Sequence, residues 1–247
     1  MKKSLFGISF LMMLMVCPAA FASDYAKYDF FLGYSLMKVG EHDGIDDVQR
    51  FMQEHVTTGV FGGFDDWKKS GILERGFSTS FTYNFTPILG LEASFRYNNG
   101  YVLSSKWKDG NIDRELGFTR TDVAFLVGPR LTFRSNRVAP FVHGLVGISH
   151  DRIGLREEFK RGDDSDSDSR GLINNSSFGI AIGGGLDIPV SENISIRAIQ
   201  ADYYLTNHPA NLWDVYISGV NDNPLSDGNK RFNNVNLSFG VVFHFGR

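Results

Sequence analysis

The sequence predicts an all-β fold, an eight-stranded antiparallel up-and-down transmembrane β-barrel. Three observations support this prediction. In eight stretches from Tyr25 onward, apolar residues alternate with polar or small ones. The connections between these stretches are alternately long and short. No stretch of 18 or more apolar residues follows the N-terminal segment, so spanning helices are not expected there. Barrel strands need no such stretch, because only every second residue faces lipid.

The N-terminal segment has the form of a secretory signal peptide. Two lysines precede an apolar stretch at 5–16, and residues 20–22 (Ala-Phe-Ala) match the small-x-small form of a cleavage site. We therefore expect residues 1–22 to be a signal peptide and residues 23–247 to form an outer-membrane barrel domain. Export followed by signal removal places the protein in the cell outer membrane.

Two other interpretations of the N-terminus stay open. The first is a membrane anchor, although the apolar stretch is shorter than the ~20 residues of a spanning helix. The second is a lipoprotein acylated at Cys17, although Val16 stands where a small residue is expected. Cys17 is the only cysteine and leaves with the signal, which predicts an exported domain without disulfides. Loss of Lys2 and Lys3 leaves 23 basic and 28 acidic residues, a net charge of −5 that argues against a nucleic-acid partner.

The alternating stretches predict the strands in order. They cover residues 25–38, 71–85, 88–101, 118–134, 138–152, 176–190, 194–206 and 232–245. The short connections lie at 86–87, 135–137 and 191–193, and the long ones at about 39–70, 102–117, 153–175 and 207–231. Tight periplasmic turns and long outer loops are typical of outer-membrane barrels, and an even strand number predicts both termini on the periplasmic side.

Parity within each strand predicts which side chains face lipid. In the third strand Leu89, Leu91 and Phe95 alternate with Gly90, Glu92, Ser94 and Arg96, and the second, fourth and sixth strands repeat this apolar-and-small pattern. Small inward residues suit a narrow lumen. The seventh strand changes parity in its middle. A β-bulge near Ala198 and Ile199 would keep both of its halves on the lipid side.

The last strand carries the longest regular alternation. The apolar side of this strand consists of Val235, Leu237, Phe239, Val241, Phe243 and Phe245, and its length suits a tilted crossing of roughly 9–11 residues. Its end resembles the C-terminal assembly signal of bacterial outer-membrane barrels, with Gly240, Val241, Phe243 and Phe245 as the matching residues. The match departs from that pattern in one respect, because Gly246 and Arg247 follow the final aromatic residue.

The whole of residues 23–247 resembles the small eight-stranded outer-membrane barrels of the OmpA, OmpX and opacity-protein type. The resemblance implies a non-catalytic structural or surface-interaction role through long outer loops, by adhesion or by contact with lipopolysaccharide or host molecules. It also implies outer-membrane lipid, lipopolysaccharide and the assembly machinery as partners, a monomer, and no cofactor. The periplasmic peptidoglycan-binding domain of full-length OmpA-like proteins is not expected, so that activity is not carried over.

Charged residues with inward parity predict a belt near the periplasmic end of the lumen. Glu92 and Arg130 lie on adjacent strands at similar depth, as do Asp187 and Arg197, and His143 lies between the pairs. Charges in a narrow low-dielectric interior are costly unless they are paired. The belt is therefore expected to fill the lumen. The alternative, a small-solute pore lined by the belt, stays open.

Two loop features offer further hypotheses. The first is the acidic run Asp163, Asp164, Asp166 and Asp168, which has the every-second-residue spacing of a calcium loop but lacks its glycine and its bidentate Glu, so a solvated loop is the favoured interpretation. The second is a short amphipathic helix in the first long loop. Its residues Ile45, Val48, Phe51, Met52 and His55 have helical spacing, with Asp43 as a possible cap, and a packed loop element is the favoured interpretation of its role.

A lipid A-modifying or proteolytic barrel enzyme is the least favoured function. His143 and His244 have inward parity, and neither accompanies a Ser or Cys at a recognisable nucleophile motif. His150 beside Asp151, or His208, would supply only part of a catalytic group. We expect packing or hydrogen bonding of these histidines, and no catalytic or metal site.

Overall fold

The computed structural model describes residues 25–39, 68–69, 73–109, 112–161, 164–208 and 230–246. These residues form nine strands, and none of them is helical. This part of the chain therefore contains no helix that could cross a membrane. The strands are β1 (Tyr28–Lys38), β2 (Lys68–Lys69), β3 (Leu73–Asn84), β4 (Leu89–Asp109), β5 (Ile112–Thr132), β6 (Ala139–Arg161), β7 (Asp164–Pro189), β8 (Ile194–His208) and β9 (Lys230–Phe245).

Eight of these strands close into a barrel. Going round the barrel, the order is β1, β3, β4, β5, β6, β7, β8 and β9, and every neighbouring pair is antiparallel. The barrel closes where β1 pairs with β9, from Tyr28 opposite Phe245 to Lys38 opposite Val235. Among the described residues, the two-residue β2 pairs with β4, at Leu103 and Ser104. The predicted eight-stranded up-and-down barrel is confirmed.

The two faces of the barrel have opposite chemistry. The outer face exposes large apolar side chains, which include Phe77, Phe81, Leu91, Phe125 and Ile182. The inward positions are polar and buried, and they include Ser78, Thr82, Glu92, Asp122 and Asp187. A soluble barrel would show the reverse arrangement, because its apolar side chains would form the core. The outward apolar face and the polar interior are those of a barrel that stands in lipid.

Two local features set the closure of the barrel. Ala198 is an extra residue in β8, since Leu186 pairs with Ile199 and Asp187 pairs with Arg197, so the predicted bulge is present and Arg197 points inward. Gly33 and Gly240 face each other where β1 meets β9. A Cβ on Gly240 would collide with the backbone of Leu32 and Gly33, so only glycine fits this close approach.

The predicted connections 102–117 and 153–175 are wrong. In the structure β4 and β5 continue to Asp109 and Ile112, and β6 and β7 continue to Arg161 and Asp164. These extensions lie past the membrane, where water can reach both faces of a strand, so an alternation of apolar and polar residues is not required there. The sequence therefore carried no period-two signal for strands that the structure contains.

The same extension corrects the interpretation of the acidic run as a loop. Asp164, Asp166 and Asp168 belong to β7 and pair with Arg161, Phe159 and Glu157 of β6. The backbone of these residues is extended, whereas a calcium loop has a curled backbone. Asp163 lies outside the described residues.

The apolar band ends at a row of outward polar residues. Arg75 pairs with Asn99, Asn99 with Thr121, and Thr121 with Arg152, and the Asn99 side-chain amide donates to the Thr121 hydroxyl at 2.7 Å. Arg75 and Arg152 are exposed. This polar row marks the outer edge of the lipid-facing surface, at the end opposite to both termini.

Some predicted features cannot be placed. The signal peptide at 1–22, the helix formed by Ile45, Val48, Phe51, Met52 and His55 with Asp43, and most of the loop 207–231 lie outside the described residues. The short connections at 86–87, 135–137 and 191–193 are described, and they lie at the end of the barrel that holds the termini.

Candidate functional site

The predicted belt residues meet in the lumen. Glu92 extends from β4, Arg130 from β5, His143 from β6, Asp187 from β7 and Arg197 from β8. Each of the five is no more than 5% exposed. The structure therefore brings together side chains from five consecutive strands, at the depth that sequence parity predicts.

Asp187 joins the two arginines. Its carboxylate accepts from Arg197 Nε at 2.8 Å and Nη2 at 3.1 Å, and from Arg130 Nη2 at 2.9 Å. Arg130 Nη1 lies farther from Glu92 Oε2, at 3.5 Å. Asp187 is thus the nearer partner of Arg130, and Glu92 is the second. Two-point contacts of this kind are the strongest form of Arg–carboxylate pairing.

Aromatic rings support the two guanidinium groups. The Arg130 carbon Cζ lies 3.8 Å from the ring centroid of Phe141, and the Arg197 Cζ lies 4.4 Å from the same ring and 4.1 Å from the ring of Phe31. Gly33 leaves the space into which the Phe31 ring extends. Stacking of this kind stabilises a desolvated cation and fills lumen volume.

His143 lies between two carboxylates. Nδ1 is 3.1 Å from Glu92 Oε2 and Nε2 is 2.9 Å from Asp202 Oδ1. Asp202 also accepts from Arg96 Nη2 at 3.0 Å and from the Gln200 amide at 2.8 Å. Arg197 Nη1 donates to Gln200 Oε1 at 2.6 Å.

These contacts form one closed circuit of side chains. The circuit and its Arg96 branch make up what we call the charge belt, which consists of Glu92, Arg96, Arg130, His143, Asp187, Arg197, Gln200 and Asp202. Its arginines and its carboxylates are equal in number, so the charges balance apart from the imidazole. The Arg96–Asp202 contact joins β4 to β8, which stand on opposite sides of the eight-stranded ring. The charge belt therefore spans the diameter of the lumen.

Sequence reasoning missed three members of the charge belt. Arg96 and Asp202 have inward parity, which was visible, but their meeting depends on the stagger of strands across the barrel. Gln200 is displaced by the bulge at Ala198, and it links the two halves of the circuit. Inward parity was therefore a signal for Arg96 and Asp202, but only the geometry of closure assigned the partners of all three residues.

A second group of buried charges lies nearer the outer end of the lumen. Arg120 Nη1 donates to Glu74 Oε1 at 2.9 Å, and Nη2 contacts Asp151 and lies 3.6 Å from Asp122. The Ser149 hydroxyl donates to Asp122 at 2.8 Å. This outer acidic cluster, formed by Glu74, Arg120, Asp122, Ser149 and Asp151, holds three carboxylates and one guanidinium, all no more than 2% exposed.

A third group lies at the end of the lumen that holds the termini. The Ser195 hydroxyl is 2.7 Å from His244 Nε2, and His244 Nδ1 is 2.7 Å from Asp29 Oδ1. The other oxygen of Asp29 accepts from Asn84 at 2.9 Å and from Arg134 at 3.1 Å. We call Ser195, His244 and Asp29 the inner triad. No sequence motif marks it, because the three side chains come from β8, β9 and β1.

The other candidate histidines are placed differently. His150 faces outward and its Nδ1 contacts the Ser176 hydroxyl at 3.0 Å, while Asp151 faces the lumen, so these two neighbours are on opposite faces. His208 ends β8 and pairs with Lys230. Within the described ranges no group of three or more His, Cys, Asp or Glu side chains is arranged to hold a metal ion.

The residues of the proposed assembly signal lie at the closing seam. Val241 and Phe245 are exposed on the outer face, Phe243 is half-buried, and the Phe243 ring stacks on Phe30 of β1 with centroids 6.5 Å apart. Gly240 faces inward opposite Gly33. All four residues therefore belong to the strand that completes the barrel.

Comparison with known proteins establishes the family. The family described as the outer membrane protein beta-barrel domain matches residues 8–245. The chain belongs to this family. It is an outer-membrane protein, as the sequence predicted. No curated protein matches the sequence.

Solved structures of small barrels are similar to this chain at low identity. Ail, the attachment invasion locus protein of Yersinia pestis, has 18% identity and a TM-score of 0.39, with 90% of this chain and 100% of that chain covered. OprG from Pseudomonas aeruginosa has 12% identity and a TM-score of 0.42, with 90% and 97% covered. Neisserial surface protein A has 15% identity and a TM-score of 0.38, with 90% and 100% covered.

Proposed function

We propose that this protein is a surface-interaction barrel, in which a filled lumen anchors an extracellular β-sheet that contacts lipopolysaccharide and other surface molecules. The observation that carries the proposal is the length of β4 to β7. Beyond the polar row at Asn99 and Thr121, β4 continues to Asp109 and β5 begins at Ile112. Ten residues of strand extend about 33 Å, which is more than closure of a barrel requires.

The extended strands form one continuous sheet. The register joins Trp107 to Arg114, Arg114 to Phe159, and Phe159 to Asp166, so β4, β5, β6 and β7 stay paired to their ends. Paired strands hold a fixed surface, and a fixed surface loses less conformational entropy on binding than a mobile loop does. This arrangement favours recognition over a passive connection.

The row below this sheet fits the outer leaflet. Arg75 and Arg152 are exposed on the outer face immediately past the apolar band, where the phosphates of lipopolysaccharide lie. Lys38 is exposed on the neighbouring β1. Guanidinium groups pair with phosphate through two parallel hydrogen bonds, so these residues supply the contact with lipopolysaccharide in this proposal.

Shortened hairpins test the role of the sheet. Residues 102–118 would be replaced by Asn-Gly, because Tyr101 pairs with Thr119 and Asn-Gly suits a two-residue hairpin. Residues 154–172 would be replaced in the same way between Ile153 and Ile173. We expect both variants to insert normally. Cells that carry either variant should bind host cells or matrix less than cells that carry the full protein. Unchanged binding in the doubly shortened variant would contradict the proposal.

Charge reversal tests the outer row separately. Arg75→Glu combined with Arg152→Glu should lower retention of lipopolysaccharide by the purified barrel at least tenfold, while the hairpin variants keep it. Arg137→Glu, an exposed change in the turn at the opposite end, is the matched control. Equal loss in this control would show a general effect of charge.

A small-solute pore is the second candidate, and the charge belt argues against it. The Arg96–Asp202 contact and the His143 bridge cross the lumen, and the rings of Phe31 and Phe141 pack against the guanidinium group of Arg197. An eight-stranded barrel has an interior that side chains can just fill. In planar bilayers we expect no large stable conductance steps from the unaltered protein. Such steps would make the pore the leading function.

Assembly and oligomeric state belong to the same proposal. The seam residues Val241, Phe243 and Phe245 would be read by the outer-membrane assembly machinery during insertion, and the finished barrel would be a monomer surrounded by lipid. The exposed apolar side chains are distributed over all eight barrel strands, which suits a complete lipid boundary.

A further inference from the structure

The inner triad has the order of contacts that nucleophilic catalysis uses. The Ser195 hydroxyl meets Nε2 of His244 at 2.7 Å, and Nδ1 of the same ring meets Asp29 at 2.7 Å. A carboxylate that accepts from Nδ1–H fixes the tautomer in which Nε2 is free to accept the hydroxyl proton. The geometry therefore provides a nucleophile, a base and an orienting acid within hydrogen-bond distance of one another.

Further contacts hold the acid in place. Asn84 donates to Asp29 Oδ2 at 2.9 Å, and Arg134 lies 3.1 Å from the same oxygen, so Oδ1 is left to His244. The Arg134 side chain also donates to the carbonyl of Pro87, which fixes its guanidinium beside the triad. These contacts keep the Asp29 carboxylate in the position from which Oδ1 accepts from His244.

The triad lies at the mouth of the lumen on the periplasmic side. Ser195 is the second residue of β8, His244 is the penultimate residue of β9, and Asp29 is the second residue of β1. The side chains of His244 and Arg134 are 17% and 21% exposed, whereas every member of the charge belt above them is nearly fully buried. The triad therefore reaches the periplasmic mouth through the partly exposed His244 ring, while Ser195 is 2% exposed beneath it and the charge belt closes the other side.

We propose that Ser195, His244 and Asp29 form an acyl-transfer site that hydrolyses small carboxylic esters entering from the periplasm. The Ser195 oxygen attacks the ester carbonyl carbon while its proton passes to His244 Nε2. The carbon–oxygen bond to the alcohol breaks, and the alcohol leaves with that proton. Water then attacks the acyl-serine and gives its proton to His244, and the carboxylic acid leaves as Ser195 recovers its proton. Asp29 is a positioning residue.

The chain contains an internal comparison for this site. His150 and Ser176 also form a serine–histidine pair, but the contact is through Nδ1, and within the described residues no carboxylate lies within hydrogen-bond distance of that ring. Ser176 is exposed, so reagents reach it more easily than Ser195. If exposure alone decides the reaction with a serine-directed reagent, Ser176 is modified first. If the triad activates its serine, Ser195 is modified first.

Covalent labelling distinguishes these outcomes. The full chain, purified from outer membranes in detergent, would be treated with diisopropyl fluorophosphate and analysed by intact mass and peptide mapping. We expect one phosphoryl group on Ser195, formed at least tenfold faster than on Ser176 or any other serine. p-Nitrophenyl acetate should be hydrolysed at least tenfold faster than by Ser195→Ala. Absence of label on Ser195, or equal hydrolysis by Ser195→Ala, would overturn the proposal.

Variants separate catalysis from a merely structural hydrogen-bond chain. His244→Gln and Asp29→Asn should slow labelling of folded protein at least tenfold, Asp29→Glu should restore part of the rate, and Ser176→Ala should leave it unchanged. Folding of each variant would be verified by its heat-modifiable migration on gels. Unchanged labelling in folded His244→Gln would overturn the assignment. If these variants fail to fold, the site labelled in the unaltered chain still decides the matter.

Discussion

Two buried charge groups in one lumen differ in their balance. The charge belt contains Arg96, Arg130 and Arg197 against Glu92, Asp187 and Asp202, whereas the ion pairs of the outer acidic cluster, within the described residues, join Arg120 to Glu74, Asp122 and Asp151. Both groups are almost completely buried. The first joins strands on opposite sides of the barrel, and the second joins β3, β5 and β6, which lie on one side.

The difference shows which charges stabilise the barrel. A buried ion pair offsets its desolvation cost only when each charge has partners, as in the charge belt. In the outer acidic cluster, among the described residues, three carboxylates share the Arg120 guanidinium. Single atoms without a hydrogen-bond partner, such as Glu74 Oε2 and Glu92 Oε1, occur in both groups. We infer that the charge belt supports the fold and that the cluster costs stability, and substitutions in each group test this inference.

The largest effect is expected at Arg197. Arg197→Met removes contacts to both oxygens of Asp187 and to Gln200, and leaves the Asp187 carboxylate partly unpaired. We expect the free energy of unfolding in urea and lipid vesicles to fall by about 4 kcal/mol. Arg156→Met is the control, because Arg156 pairs with Glu158 while both side chains are more than a third exposed, and it should change stability by less than about 1 kcal/mol. Equal effects would remove the distinction between buried and exposed pairs.

The next effect concerns Arg130. Arg130→Ala should lower the free energy of unfolding by about 3 kcal/mol, since it removes the contacts to Asp187 and Glu92. The double variant Arg130→Glu with Glu92→Arg exchanges the two charges. It should recover only part of this loss, because the new carboxylate at position 130 would lie beside Asp187. Full recovery on exchange would show that Glu92 is the dominant partner instead.

A gain in stability is expected in the outer acidic cluster. Asp122→Asn removes one of three carboxylates around Arg120 and keeps an oxygen that accepts from Ser149. The free energy of unfolding should rise by about 1 kcal/mol, because one of the three buried carboxylates that share the Arg120 guanidinium loses its charge. The same change in the charge belt, Asp187→Asn, should lower it. If both substitutions destabilise the barrel equally, the contrast between the groups is lost.

The smallest effect on unfolding is expected at the seam, outside both charge groups. Phe243→Ala with Phe245→Ala should lower the amount of protein reaching the outer membrane severalfold, while the unfolding of inserted protein changes less than in the belt variants. Cell fractionation with immunoblotting measures the first quantity. Phe77→Ala with Phe81→Ala, two exposed aromatics on β3, is the matched control. Normal outer-membrane levels of the seam variant would remove the case for an assembly signal.

The sequence by itself determined the number of barrel strands, their direction and the face of each residue. These properties follow from a period of two within each strand and from the length of the connections, both of which are local. The bulge at Ala198 was also visible, because it reverses parity within one strand. The extensions of β4 to β7 were not, since strands exposed to water on both faces need no alternation.

Only the tertiary structure decided which inward side chains meet. Parity placed Arg96 and His244 in the lumen, but it did not identify their partners Asp202 and Ser195. Contacts across a barrel depend on the stagger of its strands and on the bulge, which shift partners along the axis by several residues. The inner triad depends on closure, because Asp29 and His244 come from opposite ends of the chain. A local pattern cannot specify a distance between residues that only the closed sheet brings together.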